Sequence, residues 1–318
     1  MSSHTQTPPP VAMPQVSGMQ IVVRQETPFL PKVAFVLISL ASLAGATFTG
    51  LLAGLTGWAL VARWWSIWAV GLVGGFAVWR VFYLRDEDPE AAQEAVTALN
   101  ATALPRATLV GRWVTPVVLL GLAGPLITPY LDFLPGVRWG IVAALIGLAV
   151  CLLVGVENRT ASMAAIGFSL AAVVLWAYAD AGAGWEGWIR VAHLTAFTLW
   201  LGGALWNIWV AMPAGREHAN VDAVVAGAHQ LDRFRWVVRF ALPTIIVTGL
   251  IMANAYRLLP LSWWAEMPGI LLPGKVLAIV ALVVVFITCP LFRHCSPVQG
   301  VCDLEDLDEN AEASGGGR

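Results

Sequence analysis

Long apolar runs alternate with short polar connections along this chain, and eight of the runs are long enough to cross a lipid bilayer as helices. A membrane-spanning helix needs about 20 predominantly apolar residues. The pattern therefore predicts an all-α, polytopic integral membrane protein with eight transmembrane helices. The predicted spans are residues 33–56, 64–84, 113–131, 138–156, 161–179, 187–211, 236–257 and 269–292.

The polar segments suggest how the chain is organised. Residues 1–31 are rich in proline and lack the basic and apolar regions of a cleaved signal, so we expect a disordered cytoplasmic tail. Residues 32–180 are predicted to form an N-terminal bundle of about five helices, with a surface helix near 89–111. Residues 181–294 form a second membrane domain of three helices, and residues 295–318 an acidic, glycine-rich cytoplasmic tail.

Composition supports a membrane location. The chain is 58% hydrophobic and 12% charged, whereas soluble domains are about 25% charged. Its net charge of −2 argues against nucleic acid as a partner. Many of the 16 tryptophans fall at the ends of apolar runs, as is typical of residues that anchor helices at the membrane interface.

The distribution of basic residues predicts the orientation of the spans. With eight spans both termini share one side, and most of the arginines fall on that side. By the positive-inside rule this side is the cytoplasm, so the chain is predicted to be a multi-pass protein of the cytoplasmic (inner) membrane. Asp180 and Glu186 then fall in outer loops, where we expect solvated charges.

Two ionisable residues lie within apolar runs and are the best candidates for a functional site. His193 and Lys275 each lie six residues into a predicted helix, about 9 Å below the outer surface at 1.5 Å per residue. A charge or imidazole at that depth is costly and usually functional. His193 is a candidate ligand for a metal or haem, or a histidine hydrogen-bonded to another helix. Lys275 is a candidate for the same site, or a lysine that extends to the interface.

Few other residues suggest metal chemistry. Met252 and Met267 lie on or near the predicted outer side, and thioethers suit Cu(I), although both are also ordinary packing residues. A cytoplasmic site from His229, His294, Cys295 and Cys302 is a weaker hypothesis, since no CxxC pair is present. Small residues, including Gly45 and the Gly202-Gly203 pair, are predicted to allow close helix packing.

Three segments of residues 187–293 resemble the copper-resistance D (CopD) family. They are the His193-Leu194 stretch that ends in Leu201-Gly202-Gly203, the Arg239-Phe240-Ala241 stretch followed by Val247-Thr248-Gly249-Leu250, and Pro273-Gly274-Lys275-Val276-Leu277. The resemblance covers about a third of the chain. The pairing of a histidine helix with a lysine helix is also similar to HemJ-type membrane proteins, which bind haem b.

These resemblances imply competing functions. The CopD resemblance implies copper uptake or transfer across the cytoplasmic membrane, with a periplasmic copper carrier as partner, and a transporter rather than an enzyme. His193, with Met252 and Met267 as helpers, would then meet copper. The HemJ resemblance implies haem b at His193 and Lys275. A haem b membrane subunit that passes electrons between quinol and a redox partner is the second hypothesis. A third hypothesis is a structural or assembly subunit without a cofactor.

Overall fold

The chain folds into a bundle of helices, without a β-strand among the residues that the structure describes. The computed structural model describes residues 29–89, 91–218 and 221–288. The α-helices are α1 (Phe29–Leu52), α2 (Trp58–Val78), α3 (Gln93–Leu120), α4 (Ala123–Ile127), α5 (Pro135–Val154), α6 (Arg159–Ala181), α7 (Trp185–Trp206), α8 (Met212–Glu217), α9 (Val221–Ala253), α10 (Leu261–Ala265) and α11 (Leu271–Thr288). Short π-helical turns continue α2 over Trp79–Tyr83 and α7 over Asn207–Ala211, and 3-10 turns form at Pro129–Phe133 and Asn254–Tyr256.

The hydropathy of these helices confirms an all-α polytopic membrane protein. Within the described residues, seven helical segments are long and apolar enough to span a bilayer, and α11 contains a shorter apolar segment, Leu271–Val285. Each segment overlaps one of the eight predicted spans. The cytoplasmic location of both termini stays a prediction.

The third span differs from the sequence-based prediction. Instead of a surface helix near 89–111 followed by a span, one helix runs without a break from Gln93 to Leu120. Pro105 and Pro116 lie inside it, and a proline inside a helix removes a hydrogen bond but does not always end the helix. Charged residues such as Arg106, which pairs with Glu217 of α8, interrupt the apolar run without interrupting the helix.

The two most enclosed helices, α2 and α7, form the centre of the bundle. Their backbones touch where Gly75 faces Gly202, because a Cβ atom built on Gly75 would lie only 2.9 Å from the Cα of Gly202. This confirms the close packing predicted for Gly202. Farther along the two helices, the rings of Trp79 and Trp206 stack with centroids 5.8 Å apart.

The remaining helices surround this pair. The helices α5 and α6 pack together beside α2, α9 packs against α7, and α1 pairs with α11. Residues from 32–180 and from 181–294 share one buried core, and the boundary between the two predicted domains stays a prediction. The predicted tails 1–31 and 295–318 lie outside the described residues, except that residues 29–31 belong to α1.

Candidate functional site

A cavity with one polar end lies between α1, α2, α7, α9 and α11. Its volume is about 110 Å³, which is large compared with a single water but smaller than an engineered cavity of about 150 Å³ that binds benzene. One end is charged, and the rest of the wall is apolar and aromatic. The apolar lining consists of Ile38, Ala41, Trp64, Ile67, Trp68, Leu194, Phe197, Trp200, Leu242, Ile245, Ile279 and Leu282.

Both intramembrane candidates, His193 and Lys275, line this cavity, together with Met252. The helices α7 and α11 do not need to pack side by side for this to happen, because α1 contacts both of them and α9, which packs against α7, also lines the space between them. The equal depth predicted for the two residues therefore corresponds to a shared cavity.

A threonine on α9 orients the imidazole of His193. The Nδ1 atom of His193 lies 2.9 Å from the Oγ1 of Thr248, and that hydroxyl donates to the carbonyl of Thr244, one turn earlier, at 2.5 Å. Because a threonine hydroxyl has one hydrogen to donate, Thr248 accepts from Nδ1–H. A neutral His193 then carries its lone pair on Nε2, the atom that ligates metals when Nδ1 is protonated.

The side chain of Lys275 turns towards α1. A Cβ atom built on Gly45 would lie 2.8 Å from its Nζ, so the missing side chain of this glycine leaves the space that the ammonium occupies. Among the residues that the structure describes, no side chain or carbonyl accepts a hydrogen bond from Lys275, and no carboxylate pairs with it. The described part of the chain therefore supplies no counter-ion to this ammonium group, which faces the cavity.

A buried network of charges closes the polar end of the cavity. The Asp180 carboxylate at the end of α6 pairs with Arg63 of α2 at 2.5 Å and with Arg190 of α7 at 2.7 Å. It also accepts a hydrogen bond of 2.8 Å from the hydroxyl of Tyr130, to which the Nε of Arg63 donates at 2.9 Å. Arg63 is 2% exposed, and it also donates to the Ala46 carbonyl at 2.9 Å and to the Thr49 hydroxyl at 3.2 Å, both on α1.

The prediction that Asp180 is a solvated loop charge is wrong. Its side chain is 6% exposed and connects three helices and the Tyr130 turn. The sequence offered a weak signal for this burial, since Asp180 follows the apolar stretch Leu175-Trp176-Ala177-Tyr178-Ala179 before Gly182. The cations that the Asp180 carboxylate contacts could not be predicted, because they depend on which helices pack together.

The polar end of the cavity carries an excess of positive charge. Arg63, Arg190 and Lys275 supply three cationic groups against the single carboxylate of Asp180, which leaves a net charge of +2 with His193 neutral. The Nε of Arg190 is buried and has no hydrogen-bond partner among the described residues. A buried charge without a counter-ion is unfavourable in an apolar environment, so this end of the cavity attracts anions.

Other candidate ligands lie elsewhere. Met267 is 68% exposed, precedes α11 and does not line the cavity. No group of three or more His, Cys, Asp or Glu side chains suited to a metal occurs within the described ranges. Of the proposed cytoplasmic site, His229 lies 3.5 Å from Asp88, whereas His294, Cys295 and Cys302 lie outside the described residues.

Comparison of this chain with protein-family models, with curated proteins and with solved structures gave no match. The fold and the cavity define its class, a multi-pass α-helical membrane protein with a cavity between its helices that is charged at one end.

Proposed function

We propose that this chain is an integral-membrane copper-handling protein in which Cu(I) binds in the cavity at His193 and Met252. The observation that carries the proposal is that an imidazole and a thioether, far apart in sequence, line one cavity. The hydrogen bond from His193 to Thr248 also places the lone pair of a neutral imidazole on Nε2. Imidazole nitrogen and thioether sulfur both suit Cu(I).

The surrounding charges favour the lower oxidation state of copper and a weakly held ion. Arg63, Arg190 and Lys275 repel a cation, and the repulsion is twice as large for a divalent ion as for a monovalent one. A cargo ion must also leave its site, so tight binding is no advantage to a protein that passes copper on. These features support Cu(I) as cargo rather than as a permanently bound cofactor.

The proposed direction of copper transport and the proposed partner follow from the predicted orientation of the chain and from the CopD resemblance. The cavity lies near the start of α7 and α11, the ends predicted to face outward. Copper uptake or transfer across the cytoplasmic membrane, from a periplasmic carrier, is therefore the transport process we propose.

The arrangement of residues fits haem b less well. His193 offers a free Nε2 and three cations could pair with propionates, but a cavity of about 110 Å³ is far too small for a porphyrin. A haem would require α1 and α11 to move away from α7 and α9. We therefore derive no redox step for this site.

Cu(I) binding to the purified protein tests the proposal. Competition with a chromophoric Cu(I) chelator under reducing conditions should give one saturable site in the wild type. We expect His193→Ala and Met252→Leu each to weaken binding at least tenfold, or about 1.4 kcal/mol. Met163→Leu is the matched control, because Met163 is exposed on α6, away from the cavity.

Two outcomes would overturn copper handling. In the first, His193→Ala and the wild type bind Cu(I) equally. In the second, metal analysis finds no copper while the optical spectrum shows a haem b band that His193→Ala abolishes. A protein that binds neither copper nor haem would favour the structural subunit.

A further inference from the structure

The positive end of the cavity suggests a second ligand, because it holds three cationic side chains and only one carboxylate among the described residues. Asp180 is shared by Arg63 and Arg190, so neither arginine has this carboxylate to itself. Lys275 has no partner among the described residues, and the Nε–H of Arg190 is buried without an acceptor there. The Lys275 ammonium therefore remains an unused donor at one end of the cavity, beside the positive charge of Arg190, whose buried Nε–H does not reach the cavity.

An unpaired cationic donor is unfavourable in the interior of a membrane protein unless a ligand accepts its hydrogen bond and balances its charge. Removing a charge from water costs several kcal/mol, and a counter-ion with good hydrogen bonds recovers much of that cost. Charged side chains within a bilayer are rare and mark the path of a substrate or ion. The excess of cations over carboxylates makes the missing partner an anion.

The lining restricts the kind of anion. Below the charged groups the wall consists of Ile38, Ile67, Trp68 and Leu282, which offer an organic group favourable contact but offer a multiply charged ion few hydrogen bonds. A carboxylate oxygen can accept a hydrogen bond from the Lys275 ammonium, and the single negative charge is also attracted by Arg190 in the same lining. The cavity of about 110 Å³ limits the apolar part to a few carbon atoms.

From this geometry we propose that Lys275 and Arg190 form a binding site for a small organic monocarboxylate, whose apolar part lies against the aromatic wall of the cavity. The site does not depend on copper handling, because it uses nitrogen donors on α7 and α11 rather than His193 and Met252. A short alkyl carboxylate is a suitable probe.

Calorimetric titration in nanodiscs of zwitterionic lipid tests the proposal. Propionate should bind saturably, whereas propanol and propylammonium, which have the same chain and different charge, should bind at least tenfold more weakly. This comparison needs no variant of the protein. Equal binding of propanol and propionate would show that the cavity selects apolar groups and not anions, and would overturn the proposal.

Variants locate the site. Lys275→Met should weaken propionate binding at least tenfold. Arg257→Gln is the matched control, because Arg257 is exposed after the 3-10 turn that follows α9 and its substitution also removes one positive charge. If propionate binds Lys275→Met as tightly as the wild type, the proposed site is wrong.

Lipid composition and Cu(I) affinity distinguish the carboxylate site from a lipid site and from the copper site. In nanodiscs with an anionic phospholipid, propionate binding should persist. If the anionic lipid abolishes it, the occupant is a lipid headgroup rather than a small carboxylate. Lys275→Met should lose far more propionate affinity than Cu(I) affinity, and Met252→Leu should show the reverse, so the copper proposal and the carboxylate proposal fail independently.

Discussion

Arg63 and Asp180 form a buried ion pair at 2.5 Å although 117 residues separate them in the chain. The pair joins α2 to α6. Asp180 also binds Arg190, which joins both helices to α7. The cavity therefore has a fixed polar end, against which the more peripheral helices α1, α9 and α11 pack.

Neutralising Asp180 should destabilise the protein strongly. In Asp180→Asn the guanidinium groups of Arg63 and Arg190 face each other without a counter-ion, and breaking a buried pair in this way costs about 3–5 kcal/mol. Thermal unfolding in detergent measures the effect. The control is Asp132→Asn, because Asp132 pairs with Arg138 but is 62% exposed. Equal unfolding temperatures for the two variants would contradict the structural role of Asp180.

The contact between α2 and α7 should not tolerate a methyl group. A Cβ atom in Gly202→Ala would overlap the backbone of Gly75 and Phe76, and backbone atoms cannot move aside as a side chain can. We expect a loss of more than about 1–3 kcal/mol, the usual cost of overpacking. Gly167→Ala on α6 is the control, since nothing lies within 4 Å of its added Cβ and alanine favours helix over glycine. If Gly202→Ala is as stable as the control, α2 and α7 are farther apart than the contact between Gly75 and Gly202 requires.

Removing the hydroxyl that orients His193 should weaken copper binding without changing the donors. Thr248→Val keeps the shape of the side chain and deletes the acceptor for Nδ1–H. The loss of such an outer partner typically costs 10–100-fold in metal affinity. Cu(I) competition measures the change. Thr97→Val on α3 is the control, because the Thr97 hydroxyl forms hydrogen bonds only with Gln93 of the same helix. Unchanged affinity in Thr248→Val would exclude this orienting role.

Tyr130 should make stability depend on alkaline pH. Burial, with the neighbouring Asp180 carboxylate, raises the pKa of its hydroxyl above the ordinary value of about 10. Because the folded state holds this proton more tightly, its contribution is complete below about pH 10 and is lost as the pH rises through the folded pKa. The stability advantage of the wild type over Tyr130→Phe should therefore stay constant at neutral pH and shrink once the pH exceeds about 10. A difference in unfolding free energy that stays constant above that pH would contradict this assignment.

The orientation of the chain is directly testable. Reporter proteins fused after Arg318 and inserted within residues 132–138 should lie on opposite sides of the membrane, the first in the cytoplasm. A cytoplasmic signal from the insertion at 132–138 would show that the predicted topology is wrong.

Hydropathy predicted most of the fold because the bilayer imposes one local requirement on every span. Each crossing segment needs an apolar surface of similar length, and that requirement is visible in the sequence without knowledge of neighbours. The prediction failed at α3, where Arg106 and Pro105 interrupt the apolar run while the helix continues. The start of α2 was also placed too late, so Arg63 lay outside its span although it is buried within the helix.

The candidate site was only partly predictable. His193 and Lys275 could be recognised because an ionisable residue inside an apolar run is unusual wherever the helix packs. Asp180 and Arg190 lie near helix ends, where charges are common, and their burial depends on which helices meet there. The role of Thr248 and the space beside Gly45 also depend on packing between helices.

The pairing of α1 with α11 has a consequence for biosynthesis. A chain emerges from the ribosome N-terminus first, so α1 enters the membrane early and its partner α11 is the last described helix to follow. Lys275 is then the last of the charged groups to reach the cavity. A nascent chain that stops before Leu271 contains Arg63, Asp180, Arg190 and His193 but lacks one wall of the cavity, so ligand binding can begin only after synthesis of the bundle is complete.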